Sequence, residues 1–123
     1  MVGSAFKRVL PDADYPGRVN FTSEGASFVL STHLKDKNII HLAGKVGGVK
    51  ANTEEVCDFY TENSTLNQRM LSAAHVGKAK KVLSLLSTCV YPDAPYINYP
   101  LTEDQLHLGP PHHSNFGYAY AKR

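Results

Sequence analysis

Few of the features that make a disulfide scaffold, a membrane protein or a nucleic-acid binder are present in this sequence. Its two cysteines, Cys57 and Cys89, stand in no metal-ligand spacing. They suit a reduced cytosolic chain better than a disulfide framework. No apolar run approaches the roughly 20 residues that span a bilayer. The amino terminus carries no basic-then-apolar leader. A cytoplasmic chain without membrane contact is therefore expected. Lys and Arg number 13 against 11 Asp and Glu, a net charge of only +2. The densest basic run, Lys78, Lys80 and Lys81, reads as a solvated helix end favoured by the macrodipole, so nucleic acid is not an expected partner. The adjacent His112 and His113 cannot aim two imidazoles the same way, and no metal is expected. There is no internal repeat and no low-complexity tract.

What is there is ordinary for one small domain. The chain has 123 residues, 42% of them hydrophobic, which is too apolar for disorder. Met1 to Leu10 reads as a short, mildly amphipathic helix with Phe6, Val9 and Leu10 on one side. Pro11, Pro16 and Gly17 then mark a loop. A second helix is expected from Thr22 to about Lys35, capped by Ser23, with Phe28 and Leu34 facing a core and Gly25 weakening it. Asn38 to Leu42 is a short apolar run before Gly44, Gly47 and Gly48, and reads as a buried parallel strand. Glu54 to Val76 repeats Val56, Phe59, Tyr60, Asn63, Leu66, Met70, Ala73 and Ala74 at helical spacing, with Gly77 as the stop. Lys81 to Ser87 reads as a second buried strand. Tyr91 to Gly117, with five prolines, is a long irregular stretch of the kind that usually carries function. A further helix begins before Arg123. Strand, glycine cluster, long helix and strand make a βαβ unit, and so an α/β fold with a parallel sheet.

Tyr118 and Lys122 form a Tyr-x-x-x-Lys pair. Four residues apart on a helix, they share a face. A free tyrosine has a pKa near ~10. A lysine ammonium beside it is expected to lower that value and make a proton donor suited to reducing a ketone. Tyr120 is expected to pack. Ser87, Thr88 and Cys89 follow the second strand directly, at the strand end where open α/β sheets bind ligands. Strand-end serine, long loop, then Tyr-x-x-x-Lys is the layout of short-chain dehydrogenases.

Three segments make the likeness specific. His41-Leu42-Ala43-Gly44-Lys45-Val46-Gly47-Gly48, Leu86-Ser87-Thr88-Cys89-Val90-Tyr91-Pro92 and Gly109 to Tyr118, continuing to Lys122 and Arg123, resemble the GDP-L-fucose synthase family of extended short-chain dehydrogenases. The resemblance implies NADP(H) as cofactor and GDP-4-keto-6-deoxy-mannose as substrate. It also implies 3,5-epimerisation followed by 4-reduction, and a homodimer for the full-length protein. By resemblance, Cys89 is one member of the acid–base pair that inverts C3 and C5, its histidine partner lying further along the family's chain. A thiol near pKa ~8.5 can serve both ways. Tyr118 then donates the proton at C4, Ser87 orients the oxygen, and Lys122 also holds the nicotinamide ribose. Ala43, Gly44, Leu85, Leu86, Ser87 and Thr88 run beside the cofactor. His41 reads as a satisfied strand residue. Asn63 matches a family asparagine, where packing or a local hydrogen bond is expected as much as a catalytic role.

The resemblance also marks departures. Met1 to Phe6 is similar only to the end of the family's Gly-x-x-Gly-x-x-Gly pyrophosphate turn, with Gly3 as its last glycine. The expected fold is thus a partial Rossmann-like, doubly wound parallel sheet lacking its first two strands and its C-terminal half. Residues 1–123 would form one partial NAD(P)-binding domain of the epimerase/dehydratase type. In the 3-2-1-4-5-6 order, the strands near Ile39 and Leu83 would be the third and fourth, with the two absent strands between them. Three functions are expected in order: the family's epimerase-reductase, a non-catalytic truncated product, and another nucleotide-sugar epimerase or dehydratase. The last is disfavoured by Cys89, where dehydratases resemble Thr-Asp-Glu.

Overall fold

A computed structural model of the chain describes residues 2–15 and 31–123. It divides into two compact units, Met1–Ala43 with Gln68–Leu85, and Gly44–Asn67 with Leu86–Arg123.

In the first unit, helix α1 (Val2–Val9) forms where the sequence places it, yet none of its residues is buried. Beyond it, Lys37 Nζ meets Asp14 Oδ2 at 2.7 Å on the surface, a pairing worth little in water. The helix expected from Thr22 to Lys35 falls mostly outside the described residues; 31–33 are helical.

Strands β1 (Asn38–His41) and β2 (Lys81–Ser84) pair in parallel, from Asn38↔Lys81 to His41↔Ser84. Leu85 N donates to His41 O at 3.1 Å and carries the ladder one step further. This corrects two expectations. The strands are direct neighbours, with none between them. A crossover most often delivers its second strand beside the first, and a directly paired couple corresponds to strands 4 and 5 of the doubly wound order. Nor are the strands covered along their length: Ile40 and Leu83 are 39% and 53% exposed, because a sheet of two strands, all that the described residues form, leaves its edges and much of each face open. β2 also ends at Ser84, three residues short of the expected Ser87.

The expected long helix is α3 (Val56–Val76), preceded by a separate short α2 (Val49–Glu54). Glu55, at φ −114° and ψ 41°, breaks the two apart. Residues 68–76 of α3 belong to the first unit, where Met70, Ala73 and Ala74 are buried. Gly77 follows its last residue, as expected. Lys78 takes the positive φ (53°), while Gly77 is required for closeness: a β-carbon there would sit 2.4 Å from Ser31 O.

The second unit holds α2, residues 56–67 of α3, and helix α4 (Phe116–Lys122). Phe59, Asn63 and Leu66 are buried here, three and four residues apart on one face. Tyr60, also in the expected pattern, is half exposed. The proline-rich stretch is irregular as expected, stiffened by 3-10 turns at Thr88–Val90, Glu103–His107 and His113–Asn115. Gln105 holds its middle, accepting from Asn98 N at 2.6 Å and donating to Thr102 Oγ1 at 2.8 Å. Helix α4 packs backbone to backbone on the start of α3: a β-carbon on Gly117 would lie 2.1 Å from Val56 O.

Candidate active site

Ser87, Thr88, Cys89, Tyr118 and Lys122 all lie in the second unit. Ser87 is extended (φ −140°, ψ 152°), and its Oγ accepts from Cys89 N at 3.3 Å, capping the turn that follows. Val90, 2% exposed, roots that turn in the core, leaving Thr88 and Cys89 on its outer side. Arg123 then ties the turn to α4. Its Nε donates to Val90 O at 2.9 Å and its Nη1 to Gly109 O at 3.0 Å. The planar fork of arginine suits two carbonyls at once. Asn67 Nδ2 holds the same helix by donating to Ala121 O at 2.7 Å. The segment carrying Cys89 and the helix carrying Tyr118 are thereby locked together.

Electrostatics confirm their proximity. Tyr118 is pushed above its ordinary value of 10.0, first by burial and then by the negative charge of Cys89. Lys122, 8% exposed, is held below its ordinary value of 10.5 by burial. The sequence leads one to expect the opposite direction for Tyr118, with lysine drawing its proton off. In the structure burial is the larger cause of the rise, and the Lys122 amine lies toward Gly44 and Asn63. A β-carbon on Gly44 would sit 3.1 Å from Asn63 Oδ1 and 3.4 Å from Lys122 Nζ.

Asn63 is fully buried, and its hydrogen bonds, one of the roles expected for it, form a clamp. Its Oδ1 accepts from Lys45 N at 2.8 Å, while Nδ2 donates to Lys45 O at 3.1 Å and to Phe59 O at 2.7 Å. The turn after β1 is thus fixed against α3. Lys45 Nζ adds pairs to Glu55 and Glu62 at 3.0 and 3.1 Å; the hydrogen bonds to those carboxylates, Glu55 first, raise its pKa. Sequence reasoning missed Arg123 and Lys45 altogether. Neither stands in a spacing that signals chemistry, because each acts on backbone or on carboxylates brought close only by folding.

The remaining expected residues are spread more widely. Ala43, Leu85 and Gly3 belong to the first unit, as does His41, buried in β1. Gly3 sits in α1, where a β-carbon would meet nothing within 4 Å. Leu86 is in the second unit and exposed. Tyr120 meets Phe116 edge-on at 4.7 Å. Thr88 and Cys89 open on a cleft of about 500 Å³, bounded also by Tyr91, Tyr99, His112 and Asn115. Among the described residues no cluster could hold a metal ion, and no helix is long and apolar enough to cross a membrane.

Residues 18–123 match the model of the NAD dependent epimerase/dehydratase family. The chain belongs to this family. A probable GDP-L-fucose synthase from Drosophila melanogaster is 42% identical over 104 residues, covering 85% of this chain and 32% of the relative. A GDP-L-fucose synthetase from Naegleria fowleri, solved with NADP bound, is 45% identical, with a TM-score of 0.61 over 71% of this chain and 24% of that one. A structure named DdhaC, 30% identical, matches 98% of this chain and 36% of its own at a TM-score of 0.85. The chain therefore spans about a third of the length of the curated relatives it matches. The family is one of nicotinamide-dependent enzymes, and its Rossmann-like parallel sheet agrees with the β1–β2 pair. The residues present fit such a cofactor at one point above all. Gly44, where a β-carbon would crowd Asn63 Oδ1, lets the backbone approach the Lys122 amine closely, and an ammonium there is a suitable donor to ribose hydroxyls.

Proposed function

We propose that this chain, as one partial NAD(P)-binding domain, supplies the cofactor-facing and acid–base residues of a GDP-L-fucose synthase-like enzyme. That enzyme converts GDP-4-keto-6-deoxy-D-mannose to GDP-L-fucose in the cytoplasm. The observation that carries the reading is the fastening of the Cys89 turn to the Tyr118 helix, close enough for the charge of Cys89 to act on the tyrosine.

The C4 ketone acidifies the protons at C3 and C5, and Cys89 Sγ removes or returns a proton there as one member of an acid–base pair. Ser87 Oγ already accepts from Cys89 N, so its own hydrogen remains to be donated to the C4 oxygen. Tyr118, pushed up by burial, keeps its proton at neutral pH and can give it to that oxygen as negative charge develops. Lys122 stabilises the phenolate left behind and, beside Gly44, would hold the nicotinamide ribose with Ser87, Thr88, Leu85, Leu86 and Ala43 along the cofactor. NADPH, when bound, supplies the hydride to C4.

The test is a chimera in which residues 38–123 replace the matching segment of the Naegleria fowleri enzyme. Cys89→Ser should lower solvent deuterium uptake at C3 and C5 by about 10²-fold or more, the scale of a lost general acid–base group. Tyr118→Phe should instead lower NADPH oxidation by a similar factor. Undiminished deuterium uptake by the serine variant would reject the role given to Cys89. A second reading, that the 123-residue chain alone is non-catalytic, is favoured by the exposed Ile40 and Leu83 of the sheet, two-stranded among the described residues. It requires that the isolated chain oxidise no NADPH with the keto-sugar present.

A further inference from the structure

The cleft that holds Cys89 has a wall whose hydrogen bonds all run one way. Asn115 Nδ2 donates to Ser114 Oγ at 3.2 Å. Ser114 Oγ lies 2.7 Å from His112 Nδ1, and Ser114 N donates to the same nitrogen at 3.1 Å. A backbone N–H can only donate, so Nδ1 is the bare nitrogen of the ring. The ring proton is then on Nε2, which faces Asp93 Oδ2 at 3.3 Å. The Ser114 hydroxyl, accepting from Asn115, completes the sequence by donating to Nδ1. The chain of donation is Asn115 to Ser114 to His112 to Asp93, and all four residues line the cleft with Thr88 and Cys89.

This ordering decides what the wall offers. The Asn115 amide is oriented by its bond to Ser114, which leaves Oδ1 as the end that accepts. Asp93, 61% exposed along its side chain, brings a second carboxylate oxygen that also only accepts. A row of acceptors beside aromatic rings, in a cleft of about 500 Å³, recognises a molecule rich in hydroxyl donors on a ring with an apolar face, which describes a hexose. We infer that Asp93, His112, Ser114 and Asn115 form a sugar-hydroxyl subsite. Asn115 and Asp93 touch the hexose, while His112 and Ser114 are positioning residues that hold the two acceptors in place. This deepens the proposed function and rests on it.

The chain itself, labelled with ¹⁵N, tests the inference by NMR with GDP-α-D-mannose as the probe and GDP as the control. The Asn115 side-chain amide and the His112 ring should shift with GDP-mannose and not with GDP. Ser114→Ala should weaken GDP-mannose binding about three- to tenfold, the range carried by a neutral hydrogen bond. Ser114→Thr, which keeps the hydroxyl, should restore it. Equal shifts with GDP, no shifts with either compound, or Ser114→Ala binding as the unaltered chain does would each overturn the subsite. In the chimera, Ser114→Ala should raise KM for the keto-sugar by the same factor and leave KM for NADPH unchanged. Turnover with an unchanged sugar KM would reject the subsite and leave the epimerase-reductase reading standing. An inactive chimera that nevertheless binds GDP-mannose through Asn115 would reject only the latter.

Discussion

Replacing Asn63 by alanine should unfasten the turn that carries Gly44, and the size of the effect follows from its bonds. Asn63 is fully buried and makes three hydrogen bonds, two of them to the backbone N–H and C=O of Lys45. A neutral hydrogen bond contributes about 1 kcal/mol net, and a buried polar group left without a partner costs about 1–3 kcal/mol. Lys45 is half-buried, so water can reach part of the freed backbone. The cost should be about 3 kcal/mol, well above that of an ordinary surface change. With an m-value of about 1.5 kcal/mol/M, typical of a small domain in urea, the unfolding midpoint should fall by about 2 M. The assay is equilibrium urea denaturation followed by circular dichroism. Amide exchange supplies the local readout: Lys45 N–H should lose its protection in the variant under native conditions, while the β1–β2 ladder keeps its own. A midpoint shift below about 0.5 M at unchanged m, or an unaltered exchange rate at Lys45, would refute the clamp.

The remaining predictions concern the tyrosine and its helix. Of the seven tyrosines, Tyr118 should ionise above its ordinary 10.0; absorbance near ~295 nm during an alkaline titration should lose a late component in Tyr118→Phe. Cys89→Ala should bring that component to lower pH without abolishing its delay, since burial is the larger cause; a component unmoved by Cys89→Ala would show that the thiol does not act on the tyrosine. Gly117→Ala should destabilise the chain by about 1–3 kcal/mol in thermal unfolding, as overpacked sites do, because its β-carbon would meet Val56 O at 2.1 Å. In the chimera the displaced α4 should also lower turnover by about 10²-fold, and an alanine variant as stable and active as the parent would show that the two helices can part without consequence.

Spacing alone exposes much of this molecule. The period of Phe59, Asn63, Leu66, Met70, Ala73 and Ala74 locates α3 to within two residues, because a helix with one buried face must repeat its apolar residues at three and four. The strands are legible as short apolar runs beside glycines. Their burial is not, since burial depends on which neighbours cover them, and composition cannot distinguish a covered strand from one left open at Leu83. The order of the strands is likewise a property of pairing, and numbering by family resemblance placed two strands between them when they are adjacent. At the site, Ser87, Cys89, Tyr118 and Lys122 are visible because each bears chemistry at a recognisable spacing. Arg123, Lys45 and the wall from Asp93 to Asn115 are invisible by the same standard. Their partners are 33, 17 and up to 19 positions away or are backbone atoms, and no chemistry-bearing spacing marks them.

The pair of shifts at Tyr118 and Lys122 shows why these residues must be read together with their burial. A tyrosine raised by burial favours its neutral form in the folded chain, so its contribution to stability is intact below about 10, the unfolded value, and is lost as pH rises through the higher folded value. A lysine lowered by burial also favours its neutral form. Its contribution is present above 10.5 and is lost as pH falls through the lower folded value. At neutral pH the folded chain therefore carries a protonated tyrosine at no electrostatic cost, while burial disfavours the charged form of the lysine. Negative charge brought beside Lys122 would favour its charged form and offset that burial. A phenolate formed as Tyr118 gives up its proton is one such charge, and an ammonium already desolvated at Lys122 interacts with it more strongly than one in water could. The same burial that keeps the tyrosine protonated before the transfer thus strengthens the attraction that stabilises it afterwards. A Lys122→Met variant should keep the late tyrosine titration, because burial causes it, while losing proton donation at C4. A component that moved to lower pH in Lys122→Met would show instead that burial does not govern Tyr118, since loss of an ammonium alone can only raise a tyrosine.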